Sequence, residues 1–168
     1  IWGHFLIGGK KLKRLKMEQF GNIVNNINLG RLRKTWEETA LRLAFNIADY
    51  RSQDPYVQCG AVLIKKDNSI LLGYNGPPSN VEIDWSNRDE RRERVIHAEE
   101  NVLTWIKPGE AKLLAVTALP CKICMKTIAH KKIKVIVYKN ELEGYDNEFS
   151  KKLAKEFHIN LIKLDINI

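Results

Sequence analysis

Apolar strands that alternate with helices in the second half of the chain constrain its fold more than any other feature. The hydrophobic pattern predicts strands at residues 57–65, 69–74, 112–119, 135–138 and 159–164, and helices at residues 35–50, 97–106, 121–131 and 149–157. An Asp67-Asn68 turn joins the first two strands as a hairpin, whereas helices separate the later strands, as parallel pairing requires. We therefore expect an α/β fold in which much of the sheet is parallel and helices cover both of its faces.

The predicted domain begins at Thr35, where Thr35-Trp36-Glu37-Glu38 forms a capping box that opens the first helix. We interpret residues 1–34 as a basic leader or disordered N-terminal extension, and residues 35–168 as a single domain. Residues 75–94 are polar and open with Gly76-Pro77-Pro78, which predicts a long loop of the kind that is usually functional or disordered.

The charge of the chain says little about its partners. Of the net charge of +8, residues 1–16 supply five positive charges and no negative one, so the rest of the chain carries only +3. That balance does not by itself indicate nucleic acid binding, although it leaves such binding open. No apolar run approaches the roughly 20 residues that a membrane span needs, so we expect no membrane partner.

Two short motifs carry the chemistry. His97-Ala98-Glu99 begins one predicted helix, and Pro120-Cys121-Lys122-Ile123-Cys124 begins another, 24 positions downstream. One helical turn directs both sulfurs the same way, and two thiolates with one imidazole supply the three ligands of a catalytic zinc, whose fourth position stays open for water. Glu99, two residues from His97, is free to approach that water and not the metal, which is the position that a proton carrier requires. Three cysteines, two of them in one motif, do not form a disulfide framework, so we expect a reducing, cytoplasmic location.

These motifs are the signature of zinc nucleobase deaminases, and from about Thr35 onward the chain resembles the deoxycytidylate (dCMP) deaminase family. The resemblance also includes Cys59-Gly60-Ala61-Val62, Gly73-Tyr74-Asn75-Gly76-Pro77 and Lys134-Val135-Ile136-Val137-Tyr138. It implies a three-layer α/β/α sandwich with a five-stranded mixed sheet, formed as one cytidine-deaminase-like catalytic domain. Glu100, which follows the catalytic motif, replaces a more usual apolar or small residue.

The resemblance also implies a reaction and a set of site residues. The reaction is hydrolysis of dCMP to dUMP and ammonia, in pyrimidine deoxynucleotide metabolism, by a homo-oligomer. The residues implied are His97, Cys121 and Cys124 as zinc ligands, Glu99 as the proton carrier, Asn75 as the sugar contact, and the backbone of Ala98, Ala118 and Leu119 as contacts to the pyrimidine edge.

A cluster of arginines precedes the histidine motif: Arg88, Arg91, Arg92 and Arg94. Acidic residues between them are typical of a solvated surface run, but a nucleotide monophosphate needs a charged fork near the site, and arginine suits phosphate best. We expect at least one of the four to bind the substrate phosphate, and the sequence leaves open which.

Three other functions fit the same motifs. A tRNA adenosine deaminase shares them, but usually has a shorter excursion between the equivalents of Asn75 and His97, and has Pro-Thr where this chain has Val95-Ile96. A deaminase of free cytidine or deoxycytidine is less favoured, because the Gly73–Pro77 run resembles the nucleotide enzymes. A non-catalytic module held together by zinc would need a fourth protein ligand and would not need Glu99.

Overall fold

The computed structural model describes residues 33–167, together with the backbone of Leu6–Ile7 and Lys10–Lys11. The chain divides into two units, Ile1–Lys34 and Thr35–Ile168. In the first unit, β1 (Leu6–Ile7) pairs antiparallel with β2 (Lys10–Lys11). The interpretation of residues 1–34 as a leader or extension lies almost entirely outside the described residues and stays a prediction.

The second unit contains five strands and five helices among its described residues. In chain order they are α1 (Trp36–Arg51), β3 (Gly60–Lys65), β4 (Ile70–Tyr74), α2 (Arg88–Arg94), α3 (Ala98–Leu103), β5 (Ala111–Ala118), α4 (Lys122–His130), β6 (Val135–Asn140), α5 (Asn147–Glu156) and β7 (Asn160–Lys163). The Thr35 hydroxyl accepts a hydrogen bond from the Glu38 backbone N–H, so α1 begins at the predicted cap. None of the described helices is long and apolar enough to cross a membrane.

The five strands form one mixed sheet in the order β4-β3-β5-β6-β7. The hairpin partners β3 and β4 are antiparallel, and so are β3 and β5. The pairs β5–β6 and β6–β7 are parallel, because α4 and α5 carry the chain back between them. The expected five-stranded mixed sheet is thus confirmed, with its parallel part confined to the last three strands.

Both faces of the sheet are buried, and alternate residues of each strand serve different cores. In β3, Ala61 and Leu63 contribute to the core with α3, α4 and α5, whereas Val62 and Ile64 contribute to the core under α1. One helix therefore covers one face, and three helices cover the other. This arrangement confirms the three-layer α/β/α sandwich.

Two glycines allow helices to approach the sheet closely. A Cβ atom at Gly60 would lie 2.0 Å from the Ala44 carbonyl oxygen of α1, and one at Gly73 would lie 2.4 Å from the Ala98 carbonyl oxygen of α3. Real Cβ atoms do not approach so closely, so only glycine permits this packing. Gly73 therefore sets how closely the helix of the histidine motif packs on β4.

The prediction of an unbroken loop over residues 75–94 is wrong, because residues 88–94 form α2. The Asn87 side chain caps this helix by accepting from the N–H groups of Asp89 and Glu90, and an ion pair of 2.7 Å joins Glu90 to Arg94. The helix buries none of its residues. It therefore lacks the apolar period on which the sequence interpretation rested, and its signals were the cap and the charges.

The predicted first strand begins too early. Before Gly60 the backbone N–H groups donate to side chains: the Cys59 N–H donates to Asn75 Oδ1 at 2.8 Å, and the Val57 N–H to Asp54 Oδ1 at 3.1 Å. Cys59 consequently lies just before β3 and is only partly buried.

Candidate zinc and catalytic site

His97 is the N-cap residue of α3 and is held by its neighbours on both sides. The preceding residue, Ile96, exchanges two backbone hydrogen bonds with Gly76, at 2.9 and 3.2 Å. On α3 itself, the Asn101 side chain donates to the Tyr74 carbonyl oxygen at 3.0 Å. The start of α3 is thereby fixed to the end of β4.

Glu100 has a structural role at the same helix start. Its carboxylate accepts a hydrogen bond of 3.3 Å from the His97 backbone N–H. An acid at the third helical position that bonds back to the N-cap is half of a capping box, and it also favours the positive end of the helix. Its departure from the family pattern therefore has a local explanation.

The two cysteines of the second motif lie at the start of α4, directly after β5. Cys121 is the N-cap residue, and Cys124 is buried in the first turn. One turn of helix separates the two residues, so both sulfurs face the start of α3, as the spacing predicts.

The three side chains converge on one point. His97 Nδ1 lies 3.2 Å from Cys124 Sγ and 3.6 Å from Cys121 Sγ, and the three ligand atoms all lie within 4.8 Å of one another. Zinc bonds of about 2.3 Å to sulfur and 2.0 Å to nitrogen, at tetrahedral angles, place nitrogen and sulfur about 3.5 Å apart. The donor set and its spacing thus fit zinc, with Nδ1 as the imidazole donor. Within residues 33–167 this group contains no fourth protein ligand.

The charge distribution among these side chains favours metal binding. Cys121 accepts hydrogen bonds from Cys124 and from His97, which lowers the pKa of its thiol to about 4. The pKa of Cys124 is raised, first because its thiol donates to Cys121 and then because it is buried. At neutral pH Cys121 is therefore a thiolate, the form that binds metals.

Glu99 lies beside the cluster and is 8% exposed. Burial raises the pKa of its carboxyl to about 7, while the charge on His97 opposes that shift. A carboxyl group that titrates near neutral pH both accepts and donates protons readily, which is what general acid–base chemistry requires.

A single cavity of about 280 Å³ collects nearly all of the predicted site residues. Its lining includes His97, Cys121, Glu99, Asn75, Ala98, Ala118, Leu119, Arg88, Arg91 and Arg92. Cys124 is fully buried and is not part of the lining. Arg94 is not part of the lining, and it pairs with Glu90 on another side of α2.

The side-chain amide of Asn75 forms three hydrogen bonds within the protein. Its Oδ1 accepts from the Ser52 hydroxyl at 2.6 Å and from the Cys59 N–H, and its Nδ2 donates to the Val57 carbonyl oxygen at 2.7 Å. Since an amide nitrogen has two hydrogens, one N–H of Asn75 has no protein acceptor among these bonds. Asn75 is therefore rigidly oriented at the cavity wall.

Helix α2 places three of the four predicted arginines at the cavity and the fourth, Arg94, away from it. Arg88, Arg91 and Arg92 are spaced i, i+3 and i+4, so they share one helix face, and that face lines the cavity. Arg91 pairs with Asp54 at 3.4 Å, whereas neither Arg88 nor Arg92 forms an ion pair within the described part of the chain. The cavity therefore has two unpaired arginines on its wall.

The sequence interpretation missed ten residues of the cavity lining, among them Asp54, Cys59, Thr117, Glu143 and Tyr145. Asp54 precedes a proline in a polar stretch, and Tyr145 lies 5.9 Å from the Arg92 guanidinium in the connection between β6 and α5. Neither lies in a recognisable motif, so only the fold brings them to the site. Two other histidines of the domain, His130 and His158, are exposed and lie outside the cavity lining.

A three-layer α/β/α sandwich with a His-Cys-Cys cluster and a buried glutamate at two helix starts defines a zinc-deaminase type of protein. The family model described as the cytidine and deoxycytidylate deaminase zinc-binding region matches residues 34–140, and the chain belongs to this family.

Individual relatives agree with that assignment. The probable deoxycytidylate deaminase of Caenorhabditis elegans is 32% identical over 124 residues, which are 67% of this chain and 61% of the nematode protein. The deoxycytidylate deaminase of Mus musculus is 30% identical and is covered over 68% of its length. The dCMP deaminase of cyanophage S-TIM5 in apo form superposes with a TM-score of 0.62 at 25% identity, over 79% of this chain and all of the phage chain.

Proposed function

We propose that this chain is a zinc-dependent hydrolase that converts dCMP and water to dUMP and ammonia. The observation that carries the proposal is the convergence of His97, Cys121 and Cys124 beside a buried Glu99, in a cavity with two unpaired arginines. The relatives named as deoxycytidylate deaminases support the nucleotide as substrate.

In this proposal His97 Nδ1 and the sulfurs of Cys121 and Cys124 hold one zinc ion. When bound, zinc would lower the pKa of a coordinated water to about 7. Among the described residues, this group has three protein ligands and no fourth. A catalytic zinc site keeps its fourth position open for water, whereas a structural zinc site fills it with a protein ligand.

Glu99 is the proton carrier. It takes one proton from the water that adds to C4 of the ring and delivers it to N3. It then takes the proton of the new C4 hydroxyl and delivers it to the amine, so that C4 becomes a carbonyl and the amine leaves as ammonia. Its burial keeps bulk water away from these transfers.

The remaining contacts orient the nucleotide. The free N–H of Asn75 contacts the sugar, and the backbone of Ala98, Ala118 and Leu119 reads the edge of the pyrimidine. The Leu119 N–H already donates to the Asn140 carbonyl oxygen at 2.8 Å, so this segment reads the base through its carbonyl groups. Arg88 and Arg92 are the phosphate ligands, because they line the cavity without an acidic partner.

The experiment is a substrate comparison with the purified full chain and zinc. Ammonia release is followed with dCMP, dCTP, cytidine, deoxycytidine and a tRNA anticodon stem. A clear preference for dCMP supports the proposal. Equal turnover of dCMP and deoxycytidine would instead favour a nucleoside deaminase, and turnover of the RNA alone a tRNA adenosine deaminase.

Catalysis itself is tested with Glu99→Gln, which keeps the side-chain shape but removes the proton carrier. We expect retained zinc and a loss of turnover of at least about 10²–10⁴-fold. Glu93→Gln, an exposed glutamate on α2 outside the cavity lining, is the matched control and should keep full turnover. Near-normal turnover of Glu99→Gln would contradict the mechanism, and no turnover of any substrate by the unmodified protein would favour a zinc-stabilised module.

Two further parts of the proposal concern context. Since many dCMP deaminases assemble, we propose that this chain forms a homo-oligomer, which light scattering of the purified protein tests directly. We also propose a cytoplasmic location, on the ground that three free cysteines suit a reducing compartment.

A further inference from the structure

An acidic side chain lies in the cavity that is proposed to bind an anion. Asp54 is 6% exposed and contributes to the cavity lining. An unpaired carboxylate there would repel a phosphate group and would be costly to bury. Its basic partner is Arg91, whose Nη1 lies 3.4 Å from Asp54 Oδ1.

Asp54 is also connected to the wall that holds Asn75. The same Oδ1 accepts hydrogen bonds from the backbone N–H groups of Tyr56, at 2.8 Å, and Val57, at 3.1 Å. The Val57 carbonyl oxygen in turn accepts from Asn75 Nδ2 at 2.7 Å. A short chain of bonds thus runs from Asn75 through the segment 54–57 to Arg91.

Arg91 is the main attachment of α2 to this segment. Its guanidinium lies 4.2 Å from the centre of the Tyr56 ring and pairs with Asp54, while its side chain is 15% exposed. Because all seven residues of α2 are charged, it has little apolar packing to hold it in place. The position of Arg88 and Arg92, on the same helix face, therefore depends on how Arg91 is held.

We infer that the Asp54–Arg91 pair fixes the distance between the sugar contact Asn75 and the phosphate contacts Arg88 and Arg92, which makes Arg91 a positioning residue and not a phosphate ligand. The inference rests on the proposed function. The sugar and phosphate of one nucleotide are joined by a few bonds, so their binding sites must be held at one spacing to bind both well.

The substitution Asp54→Asn distinguishes positioning of α2 from simple repulsion of the substrate phosphate, because these two roles predict opposite changes in the KM for dCMP. The asparagine retains an Oδ1 that accepts from Tyr56 and Val57, but it loses the charge that holds Arg91. If Asp54 acted only by repelling phosphate, its loss would lower the KM for dCMP. If it positions α2, its loss raises that KM.

The experiment measures kcat and KM for dCMP and for deoxycytidine. For Asp54→Asn we expect the KM for dCMP to rise about tenfold, as for one lost charge-assisted contact, with kcat changed less than about twofold. Deoxycytidine, which has no phosphate, should keep its kcat/KM within about twofold. Asp89→Asn, an exposed acid on another side of α2, is the matched control and should change neither substrate.

A second variant protects the test against misfolding of the first. Tyr56 is 63% exposed, so Tyr56→Ala should fold normally while it removes the ring under Arg91. We expect a rise of about two- to threefold in the KM for dCMP alone. An unchanged or lowered KM for dCMP in both variants would overturn the inference and leave the proposed function standing. Equal use of dCMP and deoxycytidine by the unmodified protein would overturn both.

Discussion

The substitution Gly73→Ala tests whether the close packing of α3 on β4 sets the geometry of the site. The new Cβ atom would lie 2.4 Å from the Ala98 carbonyl oxygen, 2.9 Å from Val102 Cβ and 3.0 Å from the Val102 nitrogen. These are backbone atoms or atoms next to the backbone, so no side-chain rotation relieves the contact. Because ordinary contacts begin near 3.4 Å, α3 must retreat from the sheet by about 1 Å.

That retreat has two measurable consequences. Overpacking of this kind costs about 1–3 kcal/mol, which lowers the Tm of a domain of this size by about 4–12 °C. His97 and Glu99 move with the helix, while Cys121 and Cys124 stay with α4. Zinc tolerates errors of only about 0.2 Å in its bond lengths, and a displacement of 1 Å in a catalytic group costs about 100-fold in rate.

We therefore expect the Gly73→Ala protein to fold, to lose zinc to a chelator that the unmodified protein resists, and to lose about 100-fold in kcat/KM for dCMP. The matched control is Gly76→Ala, three residues away. There the nearest atom to a new Cβ is Gln53 Oε1 at 3.1 Å, the free end of a flexible side chain. Zinc retention and kcat/KM equal to those of Gly76→Ala would refute the reasoning, and zinc content checks it independently of the substrate.

Three further predictions concern the site. Cys121→Ala should abolish zinc binding and turnover, whereas Cys59→Ala should keep about one zinc per chain. Full zinc occupancy of Cys121→Ala in metal analysis would rule out the proposed zinc site. Arg88→Ala and Arg92→Ala should each raise the KM for dCMP about tenfold, and Arg94→Ala should not, so an effect confined to Arg94→Ala would contradict the sorting by α2. In zinc-free protein at pH 7, iodoacetamide should modify Cys121, whose pKa is lowered to about 4 by hydrogen bonds from Cys124 and His97, well before Cys59, whose pKa burial raises to about 12. Peptide mass mapping would detect the opposite order.

Local sequence signals predicted the helices that carry the site. Thr35 caps α1, and Cys121 is the N-cap residue of α4. Both helix starts could be predicted because capping and helical spacing involve residues only three or four positions apart. Helix α2 also has local signals, but it was missed. Its cap at Asn87 and its Glu90–Arg94 pair were visible in the sequence, but the interpretation relied on an apolar period that an unburied helix lacks.

The sequence by itself determined the chemistry: which residues could bind zinc, which carboxyl could carry protons, and which arginines could meet a phosphate. Only the tertiary structure decided the geometry. His97 and Cys121 are separated by 24 positions, and they meet because Gly73 lets α3 pack closely on β4 while α4 starts where β5 ends. The partnership of Asp54 with Arg91, 37 positions apart, was equally invisible. Such contacts depend on how whole elements pack, and no periodicity along the chain encodes which distant side chains the packing will bring together.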